Sequence, residues 1–185
     1  MGKEVKEYMV YDMQVFDFNK IEGMNQKAII IMGDSAGGGL ALGFSMYLRD
    51  NKIDVSNKLI LLSPWLDLDM TNMEVKIYEK LDPMLSILSL KVSGFAWVGG
   101  NKEKLQNPYV SPIFGKFNDL PYIVTFVGTH ELFYPDLVKL DNILNEEKIK
   151  HKSIVYDKMN HVFPILPIPE AKKVQNEIIE IIRNN

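Results

Sequence analysis

The stretch Ile29-Ile30-Ile31-Met32-Gly33-Asp34-Ser35-Ala36-Gly37-Gly38-Gly39 runs from an apolar strand into Gly-x-Ser-x-Gly and then into a helix. A serine forced onto a sharp strand-to-helix turn projects its hydroxyl, and small residues at both flanks avoid collisions there. Gly33 and Gly37 are expected to supply that space. Ser35 is the candidate nucleophile, and the Ala36 amide, at a helix N-terminus, is placed to bind the oxyanion that forms when Ser35 attacks a carbonyl. Phosphate-binding loops fit less well. A dinucleotide fingerprint needs Gly-x-Gly-x-x-Gly and a P-loop ends in Gly-Lys-Ser/Thr, and residues 33–39 match neither. Asp34, on the strand side of the turn, reads as a structural hydrogen-bonder.

Outward from this stretch, short apolar runs at 28–32, 59–62, 122–127 and 153–156 read as strands covered on both faces. Segments with helical spacing lie between and after them, at 38–49, 87–98, 136–147 and 169–182. The order β-α-β predicts the α/β class, with about four parallel strands flanked by helices. No repeat, low-complexity tract or Ser/Gly linker divides the chain, so residues 1–185 read as one domain. Residues 70–100, between the second and third strands, are too long for an ordinary connection and read as a pocket or lid excursion.

A serine hydroxyl needs a base. His161 lies just after the last expected strand, where a parallel sheet presents its loops on the same edge as Ser35. His151 opens a strand at the opposite edge, and His130 stands where the usual chain order Ser, acid, His puts the acid. Two carboxylates compete for that role in Gly128-Thr129-His130-Glu131-Leu132-Phe133-Tyr134-Pro135-Asp136. Glu131 is the first choice. Asp136 is the alternative acid, although its place at a helix start is explained by capping and the helix dipole. Asp67 and Asp69 read as loop anchors.

Composition narrows the function classes. With 46% hydrophobic residues, the 185-residue chain can bury a sizeable core. A net charge of -3 and a pI near 5.7, with lysines scattered, give no electrostatic reason to expect nucleic acid. No cysteine is present, which excludes thiolate chemistry and fits a reducing, cytoplasmic setting. No run approaches the roughly 18 apolar residues that span a bilayer, so membrane insertion is not expected. The three histidines lack ligand spacing, and neither a metal nor a cofactor is expected.

At Gly33-Asp34-Ser35-Ala36-Gly37-Gly38, Ser63-Pro64-Trp65-Leu66-Asp67-Leu68, Asn107-Pro108-Tyr109-Val110-Ser111-Pro112 and residues 156–161, the chain resembles the hormone-sensitive-lipase branch of the α/β-hydrolases, the bacterial esterases often labelled fold-3. The resemblance implies a carboxylester hydrolase working through Ser35, His161 and Glu131 or Asp136. In that family the acid is usually Asp, and some members use Glu in a Gly-x-x-Glu segment like residues 128–131. One departure stands out. The family carries His-Gly-Gly-Gly upstream, on a loop that donates the remaining oxyanion amides, and this sequence has none. Only about 27 residues precede the nucleophile strand, so a truncated α/β-hydrolase fold is expected, with an exposed edge on that strand and a pocket lacking one wall.

The resemblance leaves three readings. The chain is an esterase for small, short-acyl esters; or an inactive fragment or small-molecule binding module; or a subunit completed by a separate N-terminal chain. The exposed edge also predicts homo-oligomer formation. Met73, Met84, Leu85, Leu88, Phe95 and Trp97 offer an apolar supply suited to an acyl pocket, although a helix packed on the sheet would show the same residues.

Overall fold

The computed structural model describes residues 29–183 and the backbone of two short strands at 6–10 and 13–17. Four strands, β3 (Ile30–Asp34), β4 (Lys58–Leu62), β5 (Tyr122–Gly128) and β6 (His151–Tyr156), form a parallel sheet in that spatial order. Their register aligns Asp34 with Leu62, Leu62 with Phe126, and Gly128 with Tyr156. The C-terminal ends therefore share one edge, the edge on which Ser35, Glu131 and His161 all follow.

Burial explains the strand composition. Leu59, Ile60 and Leu61 of β4 are fully buried, and alternate residues face opposite layers. Leu59 and Leu61 pack with Leu42 and Met46 of helix α1 (Ala36–Asp50) and Leu137, Leu140 and Leu144 of α4 (Tyr134–Glu146). Ile60 and Leu62 pack with Val174 and Ile178 of α5 (Pro169–Arg183). Each such side chain contributes about 1.5–3 kcal/mol relative to exposure. A strand with partners on both faces and both edges needs no polar side, which is why the sequence shows an apolar run without alternation.

Strand β3 differs. Among the described residues it pairs with β4 alone, and Met32 is 54% exposed. The strand lies at 30–34 rather than 28–32, since Gly33 and Asp34 continue the ladder up to the turn; Ala28 is outside the described residues. Strand β6 starts two residues before the expected 153, at His151. The helices fall within two residues of expectation.

The connection from β4 to β5 carries two helices, α2 (Val75–Tyr78) and α3 (Ile87–Trp97). One feature was not legible: β1 (Lys6–Val10) and β2 (Met13–Asp17) pair antiparallel. Between them the sequence reads Tyr11-Asp12, which lacks the Asn-Gly or Asp-Gly signal that marks a tight hairpin in sequence. Among the described residues no helix is long and apolar enough to cross a membrane.

Candidate active site

Ser35 adopts φ 52° and ψ -121°, a conformation that L-residues rarely take. The turn is fixed from the β4 side. The Ser35 amide donates to Leu62 O at 2.9 Å, and Ser35 O accepts from the Trp65, Gly38 and Gly39 amides at 2.8, 3.1 and 3.2 Å. Among the described residues the Ala36 amide has no backbone acceptor, so it remains free to receive a developing negative charge.

The glycines divide the work differently from the expectation. A Cβ on Gly33 would collide with the Gly37 carbonyl, so Gly33 is required. A Cβ on Gly37 would meet nothing within 4 Å, which corrects the role expected for it. The close approaches instead involve Gly38, where a Cβ would stand 2.8 Å from Pro64 Cβ, and Gly39, where it would strike Trp65 O. The first turn of α1 is glycine-rich because residues 64 and 65 lie against it.

His161 Nε2 lies 2.9 Å from Ser35 Oγ, and Nδ1 lies 3.2 Å from Glu131 Oε2. With the proton on Nδ1 donated to Glu131, Nε2 is left as the acceptor for the serine hydroxyl. Both partners of the pair are buried, His161 at 3% exposure and Glu131 at 0%. Burial is the largest influence on Glu131 and pushes its carboxyl up, while the His161 hydrogen bond and charge hold it down. The Phe133 ring meets the His161 imidazole edge-on at 5.1 Å and stacks on Trp65 at 6.0 Å, which limits where the imidazole can swing.

Hydrogen bonds bring the acid and histidine loops together. Thr129 N donates to Tyr156 O at 3.0 Å, His130 N to Met159 O at 3.1 Å, and Lys158 N to Thr129 Oγ1 at 2.8 Å. A Cβ on Gly128 would strike Met159 O, so glycine is needed where the loops touch.

Asp136 is directed elsewhere. Its Oδ1 accepts from Asn72 Nδ2 at 2.9 Å, and its buried Oδ2 has no partner among the described residues. Burial, opposed by the Asn72 bond and reinforced by the Asp67 charge, pushes its carboxyl up to about 6. Asp67 anchors its loop as expected, accepting from the Asp69 amide at 3.0 Å and from the Thr71 amide and hydroxyl at 2.7 and 2.6 Å. Asp69 enters that network through its amide, not its carboxylate. Asp34 is exposed and its side chain makes no hydrogen bond among the described residues, contrary to the structural bonding expected of it. His151 is bound between Ile149 O and Asp141 Oδ1 at 2.7 and 3.0 Å, at the start of β6 and away from the other two histidines. Among the described residues no group of three or more His, Asp or Glu is arranged to hold a metal ion.

A cavity of about 220 Å³ opens beside the elbow, lined by Ala36, Gly37, Leu40, Trp65, Trp97 and Tyr109 among others. Of the apolar residues expected to supply a pocket, only Trp97 lines it. Met73, Met84, Leu88 and Phe95 are 68, 54, 73 and 40% exposed on the outer surface. For Leu88 and Phe95 the reason is the packing of α3, whose Gly94 lies so near Leu68 O that a Cβ would collide, and which turns Leu90 inward. Sequence reasoning also missed Asp82. Its Oδ1 accepts from the Met84 and Leu85 amides at 2.8 and 3.0 Å, and its Oδ2 from the Leu132 amide, beside Glu131, at 2.9 Å. The Asp82-Pro83 pair, with free amides two and three residues on, was the available signal.

A family model described as alpha/beta hydrolase fold matches residues 9–165. An esterase of Acinetobacter venetianus is 32% identical over 162 residues, covering 86% of this chain and 53% of its own. A crystal structure of an esterase/lipase from an uncultured bacterium superposes with a TM-score of 0.80 at 30% identity, over 88% of this chain and 54% of that one. An esterase from the bacterial hormone-sensitive lipase family gives a TM-score of 0.82 at 27% identity, over 87% and 54%. The chain thus spans about half the length of the relatives it matches.

Proposed function

Because the chain belongs to the α/β-hydrolase fold family, we propose that it hydrolyses carboxylic esters through Ser35, His161 and Glu131. The observation that carries this reading is the relay itself, His161 Nε2 at 2.9 Å from Ser35 Oγ and Nδ1 at 3.2 Å from Glu131. His161 takes the Ser35 proton as Oγ bonds to the substrate carbonyl carbon, and Glu131 holds and stabilises the imidazolium. The Ala36 amide binds the oxyanion, an interaction worth about 3–4 kcal/mol of barrier for one donor. On collapse the alkoxide leaves with the proton from His161. A water molecule, deprotonated by the same nitrogen, then releases the acid from the acyl-serine.

A small acyl group is the proposed substrate feature. The cavity of about 220 Å³ beside Ala36 is smaller than the roughly 300–1,000 Å³ of sites for drug-sized ligands. Relatives named as esterases support the ester class.

The sequence has no His-Gly-Gly-Gly motif to add oxyanion donors to the Ala36 amide, which favours a second reading, a binding module of hydrolase fold with an incomplete oxyanion hole. Treating the protein with a fluorophosphonate and mapping the adduct by mass spectrometry separates the two. The esterase reading expects a label on Ser35 and hydrolysis of p-nitrophenyl acetate that Ser35→Ala abolishes. An unlabelled Ser35, or a Ser35→Ala protein as fast as the parent, overturns it.

A further inference from the structure

Two buried residues beside the relay hold left-handed backbone that neither residue type favours. Ser63, immediately after β4 and fully buried, has φ 46°, and Val162, immediately after His161 and 6% exposed, has φ 54°. For a β-branched residue this is a genuine outlier, and such strain persists where surroundings over-determine it. One hydrogen bond joins the two: the Val162 amide donates to Ser63 Oγ at 3.1 Å. Ser63 itself is tied to the sheet, its amide donating to Phe126 O at 2.8 Å.

A hydroxyl that accepts one N–H still has a proton to place. Glu131 Oε1 is buried with no bonded partner among the described residues, while Oε2 is taken by His161. The Ser63 hydroxyl falls short of hydrogen-bond geometry toward this carboxylate, yet it is close enough to favour the charged form. The same side chain thus bonds the peptide after His161 and stands near the carboxylate that His161 faces.

We propose that Ser63 is a positioning residue for the hydrolysis proposed above, its hydroxyl holding the peptide after His161 on one side and steadying the Glu131 carboxylate on the other. Without it the 161–162 peptide is free to leave the left-handed region and swing the imidazole away from Ser35 Oγ. A misplacement of about 1 Å at a reacting group lowers rate by about 100-fold, whereas substrate contacts near Ala36 are untouched.

The test uses the full chain and two substitutions. Ser63→Ala removes the hydroxyl, and Ser63→Gly removes it while relieving the strain at φ 46°, so the second separates loss of the hydroxyl from backbone strain. Each is reacted with a fluorophosphonate, and the rate at saturation and the half-saturating concentration are read separately, with thermal unfolding followed in parallel. The expected result is a saturating rate at Ser35 reduced at least tenfold in both variants, with half-saturation within twofold of the parent. A Ser63→Gly protein that reacts within twofold of the parent rate overturns the proposal. So does one that has lost its cooperative unfolding transition, since the hydroxyl is then a structural support. A parent that does not react at Ser35 removes the hydrolase reading, and this inference with it.

Discussion

Replacing Asp136 with Asn should stabilise the protein at neutral pH. The carboxyl is 1% exposed, one of its oxygens lacks a partner, and its pKa rises from 3.8 to about 6. Because the folded protein holds this proton more tightly than the unfolded chain, the contribution of Asp136 to stability is full below pH 3.8 and is lost as pH rises through about 6. At 1.36 kcal/mol per tenfold change in proton affinity, the rise from 3.8 to about 6 gives a loss of about 3 kcal/mol above pH 7.

An opposing effect comes from the first turn of α4, where a negative charge gains about 0.3–1 kcal/mol from the helix dipole. The net gain for Asp136→Asn is therefore about 2 kcal/mol at pH 7.5, shrinking below about 1 kcal/mol by pH 4. Asn keeps an oxygen for the Asn72 donor and offers the nearby Asp67 an N–H in place of a charge. Urea unfolding at the two pH values measures this, with an expected midpoint increase of about 1 M at pH 7.5. A midpoint below the parent's at pH 7.5, or a difference that does not change with pH, refutes the reasoning.

Gly39→Ala should cost about 1–3 kcal/mol in unfolding free energy, because its Cβ would strike Trp65 O, whereas Gly37→Ala meets open space and should be close to neutral; equal midpoints for the two would contradict the packing described. Trp97→Ala should raise the hexanoate-to-acetate ratio of p-nitrophenyl ester hydrolysis by about tenfold. Trp97 is 58% exposed at the cavity wall, so stability should hardly change, and an unaltered ratio would separate the cavity from the acyl group.

What the sequence revealed was local or periodic. Apolar runs marked the strands of the main sheet because burial on both faces removes alternation, and the elbow showed in Gly33 and Ser35 because a tight turn restricts residue type. Glu131 could be ranked ahead of Asp136 from position alone, and the two carboxylates do part company, one toward His161 and the other toward Asn72. Most of the misses were distant pairings. Gly38 and Gly39 face residues 64 and 65, Asp82 reaches Leu132 across 50 positions, and Ser63 meets Val162 across 99. Nothing in the spacing of residues within one segment encodes such partners. The direction of the apolar side chains of α3 was left open for a related reason, as a glycine, not a large residue, sets which side of that helix approaches the loop after β4.

Asp82 makes the outer connection and the acid loop one mechanical unit. Three amides converge on its carboxylate, two from Met84 and Leu85 and one from Leu132. Anything that lifts the chain at 84 and 85 must either drag the neighbour of Glu131 along or break bonds that each resist by about 1.5–3 kcal/mol. A pull on the periphery is thereby felt beside Glu131 by a route that never crosses the sheet.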